Sequence, residues 1–506
     1  MKKLIQHASR KVQITHKICD KIQINSIAVL SLSLCALMSG CTVGPDYKRP
    51  TISTPTALSE LPNKPLSDNQ HYAQTFIDQD ISTGWWEAFH SEALNGLIQQ
   101  ALKNNPSIEI AQANLKQAIE SVKVQQAAYF PTVTADFNPT RQKVAGQLAS
   151  PMASNSYIYN LHTAQLNASY TLDLWGANKR QIESLKAQEE ASRYSTEVTY
   201  LTLVSNVVNA AIQEAVLREQ IRITQTMIER QHQLTKIILK ARALGQMSEA
   251  DVATQQSAEA NVEASLPPLQ KQLAIQRDLI KALVGSYPSD HLDAEFTLDR
   301  LNLPEQLPQV VPSSLLERRP DIRVSEAMMQ SASSNIGVAK ANRLPNISLS
   351  AGIGSSAEKL SHLFASTTEF WSLAANLTQP IFDSGALKHK ENLAKSAYEA
   401  TVAQYKSTVI SAFQNVGDVL QSIQNDQQGY DLVLNAASKN KKSFDLAQKQ
   451  YKFGDISRVT LLPIEQNYLQ SQLAVAQAQG NRLQDSAALF QALGGGWWSS
   501  SSTKKP

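Results

Sequence analysis

The chain has 506 residues, of which 42% are hydrophobic and 18% charged, and this is enough for two or three packed domains. Its formal net charge is +3. The first 40 residues hold six Lys and Arg against one Asp, so the rest of the chain is close to about −2. The basic character therefore belongs to the N-terminal segment, and the composition gives no support for a nucleic-acid partner.

Residues 1–40 have the pattern of a signal peptide. A basic N-terminal region precedes the apolar run from Ile27 to Met38, and the small residues Ser39 and Gly40 follow it. A helix needs about 20 apolar residues to span a bilayer, so a retained transmembrane anchor is the weaker interpretation.

The five residues from Leu37 to Cys41 resemble a bacterial lipobox, in which the cysteine is acylated and becomes the first mature residue. The prediction is an N-acyl and S-diacylglycerol lipid on Cys41, with an ordinary cleavage site beside a chance cysteine as the alternative. Thr42 stands where the usual inner-membrane retention signal has Asp, which favours sorting to the outer membrane. Cys19 and Cys35 leave with the signal, so no disulfide and no catalytic thiol are expected.

The segment 41–90 is polar and rich in proline, without a helical period, and is expected to form an extended, lipid-anchored arm. The sequence Gly84-Trp85-Trp86-Glu87-Ala88-Phe89 then leads into an apolar pattern with helical spacing.

Landmarks recur in one order along the remaining chain and predict a tandem repeat. Pro106 and Pro131 correspond to Pro320 and Pro345 at an offset of about 214, and three glycines correspond at about 209: Gly176 and Gly385, Gly245 and Gly454, Gly285 and Gly494. We predict repeat 1 at 91–285, a proline-rich linker at 286–312, repeat 2 at 313–496 and a tail at 497–506.

Each repeat contains a long run without proline, at 177–243 and 386–452. As a helix, each run would be about 100 Å long. A second helix is expected to return along each, forming helical hairpins at 177–284 and 386–492. Ser248 and Asp251 have the spacing of a capping box at the start of the first returning helix. Pro267 and Pro268 are expected to kink that helix, and Pro463 to bend or unwind the second one.

Period-two alternation predicts a β-hairpin at about 131–175 and another at about 345–382, apolar on one face and polar on the other. This is the weak signature of a transmembrane barrel, and a small soluble sandwich is the alternative. Four strands cannot close into a barrel, and two copies would leave too narrow a bore. Three copies give twelve strands around a water-filled bore, so the prediction is a homotrimer.

Several motifs together resemble the TolC-type outer-membrane factors, in the acylated OprM-like (NodT) branch, over nearly all the mature chain. They are Cys41-Thr42-Val43-Gly44-Pro45-Asp46-Tyr47, Trp85-Trp86-Glu87-Ala88-Phe89, Leu315-Leu316-Glu317-Arg318-Arg319-Pro320-Asp321-Ile322, Pro380-Ile381-Phe382-Asp383-Ser384-Gly385 and Ala492-Leu493-Gly494-Gly495-Gly496-Trp497. The resemblance implies a mixed α and β membrane protein, a trimer with a 12-stranded outer-membrane barrel continuous with a long periplasmic α-helical barrel. It also implies a periplasmic adaptor (membrane fusion protein) and an inner-membrane pump of the RND, MFS or ABC class as partners.

By the same resemblance, the turns Leu244-Gly245-Gln246 and Phe453-Gly454-Asp455 dock the adaptor. Related chains often place an acidic gate residue in a Leu-Leu-Asp segment past the second turn, where this chain has Leu461-Leu462-Pro463. The gate candidates are therefore Val459, Thr460 and Pro463, with Glu465 as a substitute charge.

The sequence contains no catalytic constellation, and its seven mature histidines have no metal-ligand spacing. We therefore expect no enzyme and no cofactor besides the lipid. The resemblance to the TolC-type factors implies the predicted function, a passive exit duct for drugs or other small molecules. The alternatives are the exit duct of a type I protein secretion system and a lipid-anchored periplasmic coiled-coil adaptor or scaffold.

Overall fold

A computed structural model describes residues 42–50, 74–77, 81–143, 158–308 and 317–498. The helices are α1 (Glu92–Asn104), α2 (Pro106–Gln126), α3 (Ala177–Ala243), α4 (Glu249–Leu283), α5 (Pro320–Ala341), α6 (Ala386–Phe453) and α7 (Arg458–Ala492). The strands are β1 (Thr75–Ile77), β2 (Thr132–Lys143), β3 (Ile158–Leu172), β4 (Gln306–Pro308), β5 (Asn346–Ala357) and β6 (Glu369–Thr378). The two long predicted helices and all four predicted strands are confirmed as elements.

The chain divides into two compact units, each built from several segments. The first comprises Met1–Arg49, Ala118–Glu189 and Met328–Val402, and the second comprises Pro50–Gln117, Glu190–Ala327 and Ala403–Pro506.

The first unit contains a four-stranded antiparallel sheet in the order β2-β3-β5-β6. Residues that pair across neighbouring strands point to the same face of the sheet and form a row across it. Successive rows point to opposite faces, and here they alternate between apolar and polar residues. One apolar row joins Val133, Ala168, Ala351 and Leu373, and the next apolar row joins Ala135, Leu166, Ile353 and Trp371. The row between them is polar or small and joins Thr134, Asn167, Gly352 and Ser372. The sheet thus has one apolar face, one polar face, and free edges at β2 and β6.

The N-terminal segment 42–49 packs closely against the same unit. A Cβ built on Gly44 would lie 2.4 Å from the Cα of Gly337 in α5, so only glycine allows the two backbones to approach this far. The backbone N–H of Val43 donates to the carbonyl of Trp175 (3.2 Å), and Arg180 binds Asp46 (2.7 Å). Val43, two residues after the predicted lipidated cysteine, is therefore fixed beside the junction of β3 and α3.

The second unit has an apolar core formed by α1, α3, α4, α6 and α7. Phe89, Leu94, Ile98, Ile212 and Ile280 are among its fully buried side chains. Gly480 brings α7 close to α3, because a Cβ at this position would lie 2.3 Å from a methyl of Val216.

A buried ion cluster joins α3 to α4 inside this unit. The side chain of Glu214 is 0% exposed, and its Oε1 accepts hydrogen bonds from Arg218 (2.8 Å) and Arg277 (2.9 Å). Arg277 also donates to the carbonyl of Leu292 (3.1 Å), and Arg218 lies 3.1 Å from Glu295. The carboxylate thus connects two helices and the segment after α4.

The prolines do not interrupt the returning helices. Pro267 and Pro268 lie inside α4, and Pro463 is the sixth residue of α7. Of the two effects predicted for Pro463, bending or unwinding its helix, the unwinding is therefore wrong. A proline near a helix start frees only one backbone carbonyl, here that of Val459, and the apolar contacts of α7 hold the helix together. In the part of the chain described, no helix has the length and hydropathy needed to cross a membrane.

Candidate functional site

The two long hairpins end in turns of the same geometry. Gly245 (φ +76°) follows α3 and Gly454 (φ +84°) follows α6, both in the left-handed region that favours glycine. The N–H of Gln246 donates to the carbonyl of Ala241 (2.9 Å), and the N–H of Asp455 donates to that of Gln450 (2.9 Å). This six-to-one bond closes the C-terminus of each outgoing helix as a Schellman motif.

Each returning helix begins with a serine cap. The Ser248 hydroxyl accepts from the N–H of Asp251 (3.1 Å), and Asp251 Oδ2 accepts from the N–H of Ser248 (2.9 Å), which confirms the predicted capping box. Hydrogen bonds from the Ser248 hydroxyl and backbone lower the pKa of Asp251. The second cap is Ser457, which accepts from the N–H of Thr460 (3.2 Å). The two serine caps thus have the same geometry, but the residue three positions after the cap is the charged Asp251 in the first hairpin and the neutral Thr460 in the second.

The predicted docking residues occupy these two turns and are exposed. Leu244 is 66% exposed and Phe453 is 83% exposed, and a Cβ at Gly245 or Gly454 would meet no atom within 4 Å. Gln246 and Asp455 are also exposed. Each hairpin therefore presents a large apolar side chain beside a backbone turn with open space around it.

A small apolar cluster lies one to three helical turns from these ends. It contains Leu234 and Ile238 of α3, Val252 of α4 and Leu462 of α7, with Ile237 and Val459 packed against it. The gate candidate Val459 is half-buried in these contacts, whereas Thr460 and Pro463 are exposed. Three helices from both hairpins thus meet at the cluster.

Polar contacts join α7 to α3 beside the cluster. Arg458 Nη2 donates to Gln233 Oε1 (2.6 Å), and Gln466 Nε2 donates to the carbonyl of Met227 (2.8 Å). Glu465, the predicted substitute charge, forms an ion pair with Arg230 (2.7 Å). These bonds hold the two hairpins in register close to their ends.

Sequence patterns gave no indication of the partners of α7. Arg230, Gln233 and Met227 lie more than 220 residues before the groups they contact. A periodic pattern shows which face of one helix is apolar, whereas contacts between helices depend on which helices become neighbours in the fold.

Cys41, the predicted site of lipidation, lies outside the described residues.

The sequence profile described as "Outer membrane efflux protein" matches residues 97–286 and 311–495. The chain belongs to this family. Two relatives of this outer membrane efflux protein come from Pseudomonas. It is 30% identical over 471 residues to the pyoverdine export outer membrane protein OpmQ of Pseudomonas aeruginosa, an alignment that covers 92% of this chain and 96% of OpmQ. It is 29% identical over 473 residues to the toluene efflux pump outer membrane protein TtgC of Pseudomonas putida, covering 93% and 96% of the two chains.

The solved outer-membrane channel OprN superimposes on this outer membrane efflux protein with a TM-score of 0.80 at 26% identity, over 90% of this chain and 100% of OprN. The fold is therefore that of the TolC-type outer-membrane channels, and the protein is an outer-membrane component of efflux. This finding overturns the alternative of a periplasmic adaptor or scaffold.

Proposed function

We propose that three copies of this chain form the passive exit duct of a tripartite efflux system for drugs or other small molecules. The observation that carries the proposal is the sheet with one apolar face, one polar face and two free edges. Lipid requires every backbone hydrogen bond to be made within the protein, so β2 and β6 need partner strands. Three copies supply twelve strands, with the apolar rows toward lipid and the polar rows around an aqueous bore.

Partners of this duct are proposed to dock at the two hairpin turns. Leu244 and Phe453 are exposed apolar side chains at helix ends, where a periplasmic adaptor coupled to an RND, MFS or ABC pump reaches them. The names of OpmQ and TtgC refer to pyoverdine and toluene, and a wide aqueous bore imposes little selection of its own. Substrate choice is therefore assigned to the pump.

A photo-cross-linking experiment tests the export role. A benzophenone amino acid is placed at Leu244, at Phe453, or at Ile275, a control residue of α4 that is 58% exposed and far from the turns. Both turn positions are expected to capture a periplasmic adaptor encoded with a small-molecule pump. Equal capture at Ile275, or no capture at either turn, would contradict the docking proposal. Capture of an adaptor from a type I secretion system would favour that alternative.

The apolar cluster is proposed to close the duct, with Val459 as its main contact from the gate segment. Val459→Ser replaces a half-buried isopropyl group and should destabilise the closed state by about 1 kcal/mol. The ratio of closed to open channels then falls about fivefold, which raises the open probability in single-channel recordings and raises vancomycin susceptibility. Val262→Ser makes the same change at a half-buried valine of α4 outside the cluster and is the matched control. Unchanged leakage in Val459→Ser would remove the valine from the gate.

Acylation of Cys41 is the last component of the proposal. Cys41→Ser is expected to abolish incorporation of labelled palmitate and leave the precursor unprocessed, because serine offers no thiol for the diacylglycerol. Cys35→Ser, inside the predicted signal peptide, should keep full labelling. Each buried methylene of an acyl chain contributes about 0.8 kcal/mol to membrane binding, so removing the lipid removes most of the anchor's affinity. Retained label in Cys41→Ser would disprove the lipobox assignment.

A further inference from the structure

Three side chains with metal-binding atoms meet between the arms of the first hairpin. His232 lies on α3, and Glu259 and Glu263 lie one turn apart on α4. The imidazole uses both nitrogens: Nδ1 contacts Glu259 Oε1, and Nε2 lies 3.3 Å from Glu263 Oε1. One ligand atom from each residue lies within 4.8 Å of the other two. No catalytic or docking role has been given to any of the three.

Neighbouring contacts hold the two helices in register at this level. The Gln255 side chain, one turn before Glu259, donates to Gln231 (2.7 Å) and to Thr235 (3.3 Å) of α3. The side chain of Glu259 is only 15% exposed, whereas His232 is 49% exposed and Glu263 is 45% exposed. The cluster therefore has a fixed inner carboxylate and an open outer side that water can reach.

We propose that His232, Glu259 and Glu263 bind a divalent transition-metal ion, with Zn²⁺ as the ion best suited to the donors. One imidazole and two carboxylates form a mixed N and O set that suits zinc, whereas magnesium and calcium prefer oxygen alone. Two glutamates at positions i and i+4 project from one side of a helix, so the imidazole of the neighbouring helix completes three ligands. Water takes the fourth tetrahedral position.

The second hairpin has no equivalent of this cluster. At the repeat offset of about 209, His232 corresponds to Lys441, and the two glutamates correspond to Tyr468 and Gln472. Lys441 instead pairs with Asp445 (3.0 Å) on its own helix, and Tyr468 stacks on Phe444. The proposed ion would thus link the arms of the first hairpin alone, about 20 Å from its turn at 1.5 Å per residue.

Zinc titration of the full-length protein tests the site. Protein in detergent is stripped with a chelator and titrated with Zn²⁺ at neutral pH by calorimetry, with size-exclusion chromatography and circular dichroism confirming that each variant is folded. We expect one ion per chain, a rise in unfolding temperature on binding, and weaker binding at acidic pH because protons compete for the imidazole. His232→Ala and Glu263→Gln should each weaken binding by at least about tenfold.

His291→Ala is the matched control. His291 also lies beside a carboxylate, Asp293 (3.1 Å), but both side chains are nearly fully exposed, and neither belongs to a three-ligand group among the described residues. Its substitution should leave zinc affinity unchanged. Binding that is absent in the wild type, or equal in His232→Ala and His291→Ala, would overturn the proposal and leave His232 as an ion-pair partner of two glutamates.

Discussion

Arginine at position 373 is expected to prevent insertion of the sheet into the outer membrane. Leu373 is 76% exposed on the apolar face of β6, in the row that also contains Val133 and Ala351. Arginine on the lipid face of a transmembrane barrel costs about 2–4 kcal/mol at the bilayer midplane. A homotrimer carries this cost three times, so Leu373→Arg should leave most of the protein outside the outer-membrane fraction.

Ser372→Arg is the matched control for this experiment. Ser372 precedes Leu373 on the same strand, about 3.4 Å away, but it belongs to the polar row with Asn167 and Gly352. Arginine there extends into the proposed aqueous bore and should allow insertion. The readout is the share of protein in the outer-membrane fraction of a density gradient, together with its resistance to extraction. Equal insertion of both variants would show that the apolar face does not meet lipid.

Loss of the Glu214 carboxylate is expected to cause the largest destabilisation of the helical unit. Glu214→Ala leaves the guanidinium groups of Arg218 and Arg277 without the acceptor that they share at 2.8 and 2.9 Å. Removing one member of a buried ion cluster costs about 3–5 kcal/mol, because the remaining charges stay partly out of water. The thermal unfolding midpoint of the purified protein should fall sharply.

An exposed ion pair on the same helix provides the comparison for Glu214. Arg222 is 64% exposed and pairs with Glu219 at 2.6 Å, within one turn of α3. Glu219→Ala should change stability by no more than about 1 kcal/mol, because water and salt screen exposed charges. Similar midpoints for Glu214→Ala and Glu219→Ala would show that the buried carboxylate does not hold α3 to α4.

Local patterns predicted the elements of this fold well. The absence of proline predicted long helices at 177–243 and 386–452. The structure has α3 at Ala177–Ala243 and α6 at Ala386–Phe453. Ser248 and Asp251 form the expected capping box because a cap depends on residues only three positions apart. The alternation of apolar and polar residues located all four strands of the sheet, which pair in the order β2-β3-β5-β6.

Contacts between distant segments could not be predicted in this way. Glu214 and Arg277 lie on separate helices, and a charged residue in a helix more often faces water than a buried partner. The same holds for His232 with Glu259 and Glu263, since the spacing of donors across two helices matches no linear metal motif. Pro463 does not unwind its helix, because the local cost of the proline is offset by the packing of Leu461 and Leu462.

The close approach of Gly44 to Gly337 bears on the depth at which the protein sits in the outer membrane. The N–H of Val43 donates to the carbonyl of Trp175, so the proposed lipid on Cys41, only two residues earlier in the sequence, would be held close to the boundary between β3 and α3. A tether of two residues spans at most about 7 Å. The depth of the acyl chains in the lipid would thereby set the position of the sheet along the membrane normal. The lipid would position the protein in the outer membrane as well as attach it.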